Sequence, residues 1–78
     1  MTDVDLELDC RGMLCPQPVI QLARRIVEVQ VGGVVGVVST DAASGHDIPA
    51  WCRMRQQEFV GEDLADDGSP RFVVRRVS

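Results

Sequence analysis

The sequence predicts a two-layer α/β (α+β) sandwich with the element order β-α-β-α-β-β, in which two helices cover one face of a four-stranded mixed sheet. Three observations support this class: apolar and acidic residues alternate over 3–10, apolar residues recur at helical spacing from 16 to about 30, and the turn signal "DDGSP" at 66–70 separates two apolar stretches. Because 78 residues bury a single small core, we expect one domain over residues 1–78.

The first strand and first helix form the start of this fold. Val4, Leu6, Leu8 and Cys10 alternate with acidic residues, so one face of the strand is polar and helices should cover only the other. The helix predicted over 16 to about 30 ends at two glycines, 32 and 33. A helix between two strands predicts a parallel pair with a right-handed crossover.

The second half of the chain supplies the other elements. "VVGVVS" at 34–39 is apolar on both faces, which predicts a central strand. Asp47 is expected to cap a second helix that has Pro49 in its first turn and runs to about residue 58. The stretches 59–65 and 71–77 are then predicted to form a closing hairpin.

Composition excludes several functional classes. The net charge is −4 and only three residues are aromatic, so direct nucleic-acid binding is not expected. No apolar run approaches the roughly 20 residues of a membrane span, and the acidic N-terminal stretch does not resemble a secretion signal. Three cysteines without zinc spacing predict free thiols, no metal site and a cytoplasmic location.

Cys15 is the candidate reactive residue. It precedes Pro16, Gln17 and Pro18 at the predicted start of the first helix, where prolines are tolerated and backbone amides lack helical acceptors. With Cys15 as the N-cap, free amides such as those of Gln17 and Val19 and the helix dipole would lower the thiol pKa to about 7.5. The alternative is a buried, inert thiol, and the residues themselves leave both interpretations open.

The chain lacks the second group that most cysteine chemistries require. There is no C-x-x-C pair, so a thioredoxin-type dithiol is not expected. His46 could act as a base for Cys15 if the loop after the second strand reaches it. Cys10 and Cys52 lie at predicted interior positions. A lone exposed thiol is suited to accepting a group and passing it on, and sulfur is the obvious cargo.

Three segments resemble the family of small TusA/SirA-like sulfur carriers. "LDCRGMLCPQPV" at 8–19 is similar to that family's strand, loop and Cys-Pro-x-Pro signature. "VVSTDAASGHDIPAWC" at 37–52 resembles its second strand and helix start, and "DDGSPRFVVRR" at 66–76 resembles its final hairpin. Cys-Pro-x-Pro alone is a weak motif, whereas three such segments in this order are specific.

The resemblance implies a persulfide on Cys15 and no separate cofactor. It implies a sulfur donor such as a cysteine desulfurase and an acceptor protein in tRNA thiolation, molybdenum-cofactor assembly or sulfur oxidation. Cys10 departs from the family pattern, which leaves open a subfamily with different chemistry, including selenium. The residues expected to shape the site around Cys15 are Arg11, Gly12, Pro16, Gln17, Pro18 and Asp41.

Two alternative functions remain at this point. The same fold could serve as a non-catalytic regulatory module that binds a protein, or RNA through the arginines of the hairpin, and Cys15 would then be dispensable. A redox switch would instead pair Cys10 with Cys15 across the intervening "RGML".

Overall fold

A computed structural model describes residues 3–78 and contains four strands and two α-helices. The strands are β1 (Leu6–Asp9), β2 (Val34–Val38), β3 (Glu58–Leu64) and β4 (Pro70–Arg75). The helices are α1 (Gln17–Arg25), which continues as a 3-10 turn over Ile26–Glu28, and α2 (Ser44–Arg55). The predicted element order is therefore confirmed.

The strands form one mixed sheet in the order β1-β2-β4-β3. β1 pairs with β2 in parallel, as the helical connection between them predicts, and Leu8 lies opposite Val37. β4 pairs antiparallel with both β2 and β3, and the β3–β4 ladder is irregular between Phe59 and Gly61. The apolar strand β2 is thus internal, whereas β1 and β3 form the edges.

Both helices pack on the same face of the sheet, which gives the predicted two-layer sandwich. The inward residues of β1, β2 and β4 meet the apolar sides of α1 and α2 in one cluster. Burial of this apolar area is the main favourable contribution to folding. The cluster consists of Leu8, Cys10, Leu22, Ile26, Val29, Val35, Val37, Ile48, Trp51, Cys52, Phe72 and Val74.

The opposite face of the sheet carries a charged group instead of a second layer. Arg71 donates hydrogen bonds to Asp63 at 2.7 Å and to Glu7 at 3.0 Å, and its side chain is only 8 % exposed. Its stem crosses Gly36, where an added Cβ would come within 2.9 Å of Arg71 Cδ. The glycine in β2 therefore makes room for an arginine that links β1, β4 and β3.

The helix boundaries differ from those predicted. α1 begins at Gln17 with Pro16 as its N-cap, so the prediction of Cys15 as N-cap is wrong by one residue. The α-helix ends at Arg25 and tightens into the 3-10 turn, a common way for a helix to terminate. The predicted extension to about residue 30 is too long because the chain turns at Gly32, with φ +93°, into β2.

The second helix starts three residues before the predicted cap at Asp47. Asp41 explains the difference: its Oδ1 accepts the Ala43 N–H at 3.0 Å, and its carbonyl accepts the Ser44 N–H at 3.0 Å. Pro49 therefore lies inside the helix. α2 ends at Arg55 because Gln56 adopts the left-handed conformation, with φ +59°, instead of continuing towards residue 58.

Candidate functional site at Cys15

The site lies beyond the carboxyl ends of β1 and β2. Because these strands are parallel, the loops that follow them meet at the same edge of the sheet. Gly12, with φ +78°, donates its N–H to Thr40 Oγ1 at 3.1 Å. Cys15 donates its N–H to Asp41 Oδ2 at 2.6 Å. Two hydrogen bonds thus fix the cysteine loop against the loop after β2.

Asp41 connects the cysteine loop to the start of α2. One carboxylate oxygen accepts the N–H of Ala43 and the other accepts the N–H of Cys15. These two backbone hydrogen bonds lower the pKa of Asp41, against a smaller opposing effect of desolvation. The predicted site residue Asp41 is therefore close to Cys15, where it holds the backbone and stays ionised at neutral pH.

The start of α1 places Cys15 outside the helix. The Cys15–Pro16 peptide bond is cis, and Pro18 is buried in the first helical turn. Gln17 donates its N–H to the carbonyl of Leu14 at 2.9 Å, so this amide is not free for an anion as expected. The structure thus places Pro16, Gln17 and Pro18 next to Cys15 as predicted, but in a different arrangement.

The Cys15 thiol is exposed and is paired with a carboxylate. Its Sγ donates a hydrogen bond to Asp47 Oδ2 at 2.6 Å. This hydrogen bond, with desolvation and the charges of Asp47 and Asp41, raises the pKa of Cys15 above its ordinary value. The predicted lowering of that pKa is wrong, because the hydrogen bond to Asp47, desolvation and the charges of the two carboxylates all favour the neutral thiol. The alternative of a buried thiol is also wrong.

His46 lies next to Asp47 and not against the sulfur. Its Nδ1 is 3.5 Å from Asp47 Oδ1, and its side chain is 85 % exposed. The thiol, the carboxylate and the imidazole therefore follow one another in that order. His46 is placed to act on Cys15 only through Asp47, which differs from the direct base considered from the sequence.

A shallow apolar depression of about 320 Å³ opens beside the sulfur. Trp51 forms part of its lining and is itself buried, whereas Met54 at the rim is 73 % exposed. Leu14, directly before Cys15, is also 73 % exposed. The lining residues are Cys15, Pro16, Val19, Asp47, Ala50, Trp51 and Met54. A partner that reaches the thiol would therefore meet apolar surface around it.

The other two cysteines are core residues. Cys10 and Cys52 are each 1 % exposed and both belong to the hydrophobic cluster. Burial raises the pKa of Cys10, and burial raises the pKa of Cys52 to about 11. The interior positions predicted for them are confirmed, and all three cysteines are free. Cys15 is thus the one of the three thiols that is exposed to solvent.

Arg11 is the predicted site residue whose side chain turns elsewhere. It forms ion pairs with Asp9 at 3.1 Å and with Asp67 at 3.0 Å, and Asp67 lies in the β3–β4 turn. Arg11 therefore ties the cysteine loop to the closing hairpin. Asp47 was not predicted as the partner of the sulfur, although it follows a strand that was predicted to lie parallel to β1.

Within residues 3–78, no group of three or more metal-ligating side chains could hold a metal ion. In the same part of the chain, no helix has the length and apolar character needed to cross a membrane.

The fold and the site define a small α+β domain that presents one exposed thiol at the edge of its sheet. The chain belongs to the TusA sulfurtransferase family, whose model matches residues 6–76. The sequence is 36 % identical over 75 residues to the sulfur carrier protein TusA of Pseudomonas syringae pv. syringae, covering 96 % of this chain and 88 % of that protein.

Two further proteins show the range of the similarity. A putative sulfur carrier protein of Archaeoglobus fulgidus is 35 % identical over 71 residues, covering 91 % of this chain and 92 % of the relative. A crystal structure of a SirA-like protein from Desulfitobacterium hafniense superposes with a TM-score of 0.77 at 22 % identity, covering 94 % and 99 % of the two chains. That structure supports the fold alone. The family predicted from the sequence is confirmed.

Proposed function

We propose that this protein is a sulfur carrier that holds sulfane sulfur as a persulfide on Cys15. Membership of the TusA family supports a role in sulfur transfer. The single observation that carries the residue assignment is that Cys15 is exposed beside an apolar depression while Cys10 and Cys52 are buried. Cys15 is then the catalytic residue, and the persulfide is covalent cargo without a separate cofactor.

The transfer reaction balances without an oxidant or a reductant. Cys15 Sγ forms a bond to the terminal sulfur of a donor persulfide, and the donor S–S bond breaks with its electron pair on the inner donor sulfur. That sulfur takes up the proton that Cys15 gives up. The sum is R–S–SH and Cys15–SH giving R–SH and Cys15–S–SH. Delivery to an acceptor thiol is the same reaction in reverse.

Both partners dock transiently around the same thiol. A cysteine desulfurase in the cytoplasm is the proposed donor, and a protein of tRNA thiolation, molybdenum-cofactor assembly or sulfur oxidation is the proposed acceptor. Leu14, which precedes Cys15 in the chain, and Met54, which lines the same depression as Cys15, offer exposed apolar contacts. A weak interface below about 1,200 Å² suits a carrier that must release each partner. Asp41, Gly12 and the two prolines hold the cysteine loop in place.

The decisive experiment loads the protein with a cysteine desulfurase and free cysteine and then measures its intact mass. We expect a gain of one sulfur, about 32 Da, on the wild type and on Cys52→Ala, and no gain on Cys15→Ser. A gain on Cys15→Ser equal to that of the wild type would contradict the proposal. Unchanged partner capture by Cys15→Ser together with no loading of the wild type would favour the non-catalytic interaction module.

A further inference from the structure

Asp47 is the charged side chain in contact with Cys15 Sγ, and the transfer step described above assigns it no role. Its Oδ2 accepts a hydrogen bond from the Cys15 thiol at 2.6 Å, and its side chain is 30 % exposed at the wall of the apolar depression. A carboxylate at this distance favours the neutral thiol, because a hydrogen-bond acceptor and a like charge both oppose formation of the thiolate. A carrier built for rapid attack would place a cation there instead.

We propose that Asp47 is a positioning residue that holds the proton on the unloaded Cys15 and so keeps the empty carrier unreactive, while the loaded carrier remains reactive. The proposal deepens the sulfur-carrier function and rests on it. It predicts that the empty thiol resists small electrophiles and oxidants. The persulfide, which no longer has a proton on Sγ to donate, is released from this hold.

The charges around the sulfur are consistent with this role. The carboxylates of Asp47 and, more weakly, Asp41 are the charged groups that raise the pKa of the thiol. From α1 and the rest of α2, the depression is lined by apolar side chains, namely Pro16, Val19, Ala50, Trp51 and Met54. On the other side of the carboxylate, His46 Nδ1 lies 3.5 Å from Asp47 Oδ1.

Loading changes the relation between the sulfur and Asp47. In the transfer step the thiol proton passes to the leaving donor thiolate, and Asp47 Oδ2, which already accepts it, is the natural relay. The outer sulfur then lies one S–S bond, about 2 Å, beyond Sγ. The influence of the carboxylate falls with distance, so Asp47 acts more strongly on the empty thiol than on the reactive outer sulfur.

The first test is the pH dependence of Cys15 alkylation by iodoacetamide in the unloaded protein, followed by mass spectrometry of the Cys15 peptide. The wild-type midpoint should lie above the ordinary thiol value of about 8.5. In Asp47→Asn it should fall by about one pH unit, which is roughly tenfold more thiolate at neutral pH. Asp3→Asn, a matched loss of one exposed carboxylate before the start of β1, should leave the midpoint unchanged.

A wild-type midpoint well below the ordinary value would overturn the proposal, and this measurement needs no variant to fold. An Asp47→Asn midpoint equal to or above that of the wild type would also overturn it. Neither result depends on whether Cys15 carries sulfur, so failure of this proposal is separable from failure of the proposed function.

The second test compares empty and loaded protein at pH 7, after loading with polysulfide and confirming the added sulfur by mass. The wild-type persulfide should react with iodoacetamide much faster than the wild-type thiol. Asp47→Asn should lower the ratio of the persulfide rate to the thiol rate about tenfold, because alkylation of its thiol is faster. An unchanged ratio would contradict selective control by Asp47. Failure of the wild type to load would instead defeat the proposed function. The alkylation midpoints of the first test would then still show whether Asp47 holds the proton on Cys15.

Discussion

Asp41 and Asp47 carry the same functional group at the same site and serve different ends. Asp41 accepts two backbone N–H groups and has its pKa lowered by them. Asp47 accepts the side-chain thiol of Cys15. One carboxylate therefore holds the cysteine loop through backbone hydrogen bonds, and the other holds the proton on the thiol. The difference arises from the donor that each carboxylate contacts.

Replacing Asp41 by Ala should loosen the cysteine loop without unfolding the core. The change removes the acceptor of the Cys15 and Ala43 N–H groups. Hydrogen exchange should accelerate at these two amides and stay slow in β2 and β4. Asp66→Ala, an exposed acid in the β3–β4 turn, is the control. Uniformly faster exchange across the sheet would show that Asp41 supports the whole fold instead.

Cys52 should make stability depend on alkaline pH. Burial raises its pKa from 9.0 to about 11, so the unfolded chain loses this proton before the folded chain does. Its contribution to stability is complete below pH 9 and is lost as the pH rises towards 11. The difference of two units corresponds to about 2–3 kcal/mol. Between pH 8 and pH 11, the free energy of unfolding measured in urea should therefore fall by this amount more in the wild type than in Cys52→Ala.

The same alkaline loss in both proteins would show that Cys52 ionises freely in the folded state. The comparison also controls for the other two thiols, which both proteins retain.

At the level of single residues, the sequence predicted Cys15 as the candidate reactive residue and Asp41 near it, and the structure shows Cys15 exposed with its N–H bonded to Asp41. It did not predict the pairing of Cys15 with Asp47 or the direction of the thiol pKa shift. Local reasoning about a helix terminus considers the nearest backbone amides. The deciding group instead comes from another helix, 32 positions along the chain.

Among the elements, α2 contributes most to the surface around the thiol. Because it starts at Ser44 rather than at Asp47, Asp47 falls within its first turns and faces Cys15. Ala50, Trp51 and Met54 then follow along the side that lines the depression. The hydrogen bonds that Asp41 accepts from the N–H groups of Ala43 and Ser44 therefore favour a helix start that turns Asp47 towards the sulfur.

Introducing charge at Met54 should impair sulfur transfer without reducing stability. Met54 is 73 % exposed, so Met54→Glu costs little burial but places a charge on the apolar surface expected to meet partners. Loading by a desulfurase should slow several-fold, with an unchanged urea midpoint. Val31→Glu, at a 63 % exposed position before β2, is the matched control and should load normally. Equal loading of both variants would remove Met54 from the docking surface.

Element types were predictable and their ends were not. Periodicity defines the apolar sides of α1 and α2, since those sides pack on the sheet. The ends depend on single hydrogen bonds and backbone conformations, such as the Gln57 N–H to Cys52 carbonyl bond at 2.9 Å after Gln56. Such features compete closely in energy with one more helical turn.

For the whole molecule, Arg71 links three strands on the sheet face that the helices do not cover. This arginine joins Glu7 of β1 and Asp63 of β3 from its position on β4. Its hydrogen bonds to both carboxylates raise its pKa further above the ordinary range. These ion pairs therefore link both edge strands of the sheet to β4 on the face without helices.

Arg71→Met should be the most destabilising charge substitution on this face. It leaves the carboxylates of Glu7 and Asp63 close together without the guanidinium, and loss of one partner of a buried pair costs about 3 kcal/mol. Arg75→Met removes a half-exposed pair with Glu58 and should cost less than about 1 kcal/mol. Urea unfolding measures both. Equal losses of unfolding free energy in the two variants would mean that the buried pairs of Arg71 stabilise the fold no more than the half-exposed pair of Arg75.

The sequence predicted the layers of the molecule but not its strand order. The polar face of β1 and the apolar character of β2 indicate one covered face and a central strand, and both are confirmed. The placement of β4 between β2 and β3 depends on pairings between distant segments, such as Val35 with Val74. From the sequence alone, an apolar strand such as β4 could pair with any of several strands equally well.

Sulfur transfer through this protein, as proposed, requires that Cys15 alone takes up and gives up one sulfur atom. Peptide-level mass spectrometry of protein loaded by a desulfurase, isolated from the donor and then treated with an acceptor thiol, tests it directly. We expect one added sulfur on the peptide that contains Cys15 and its loss after treatment with the acceptor. Sulfur on the Cys10 or Cys52 peptide, or a Cys15 adduct that the acceptor thiol does not remove, would contradict it.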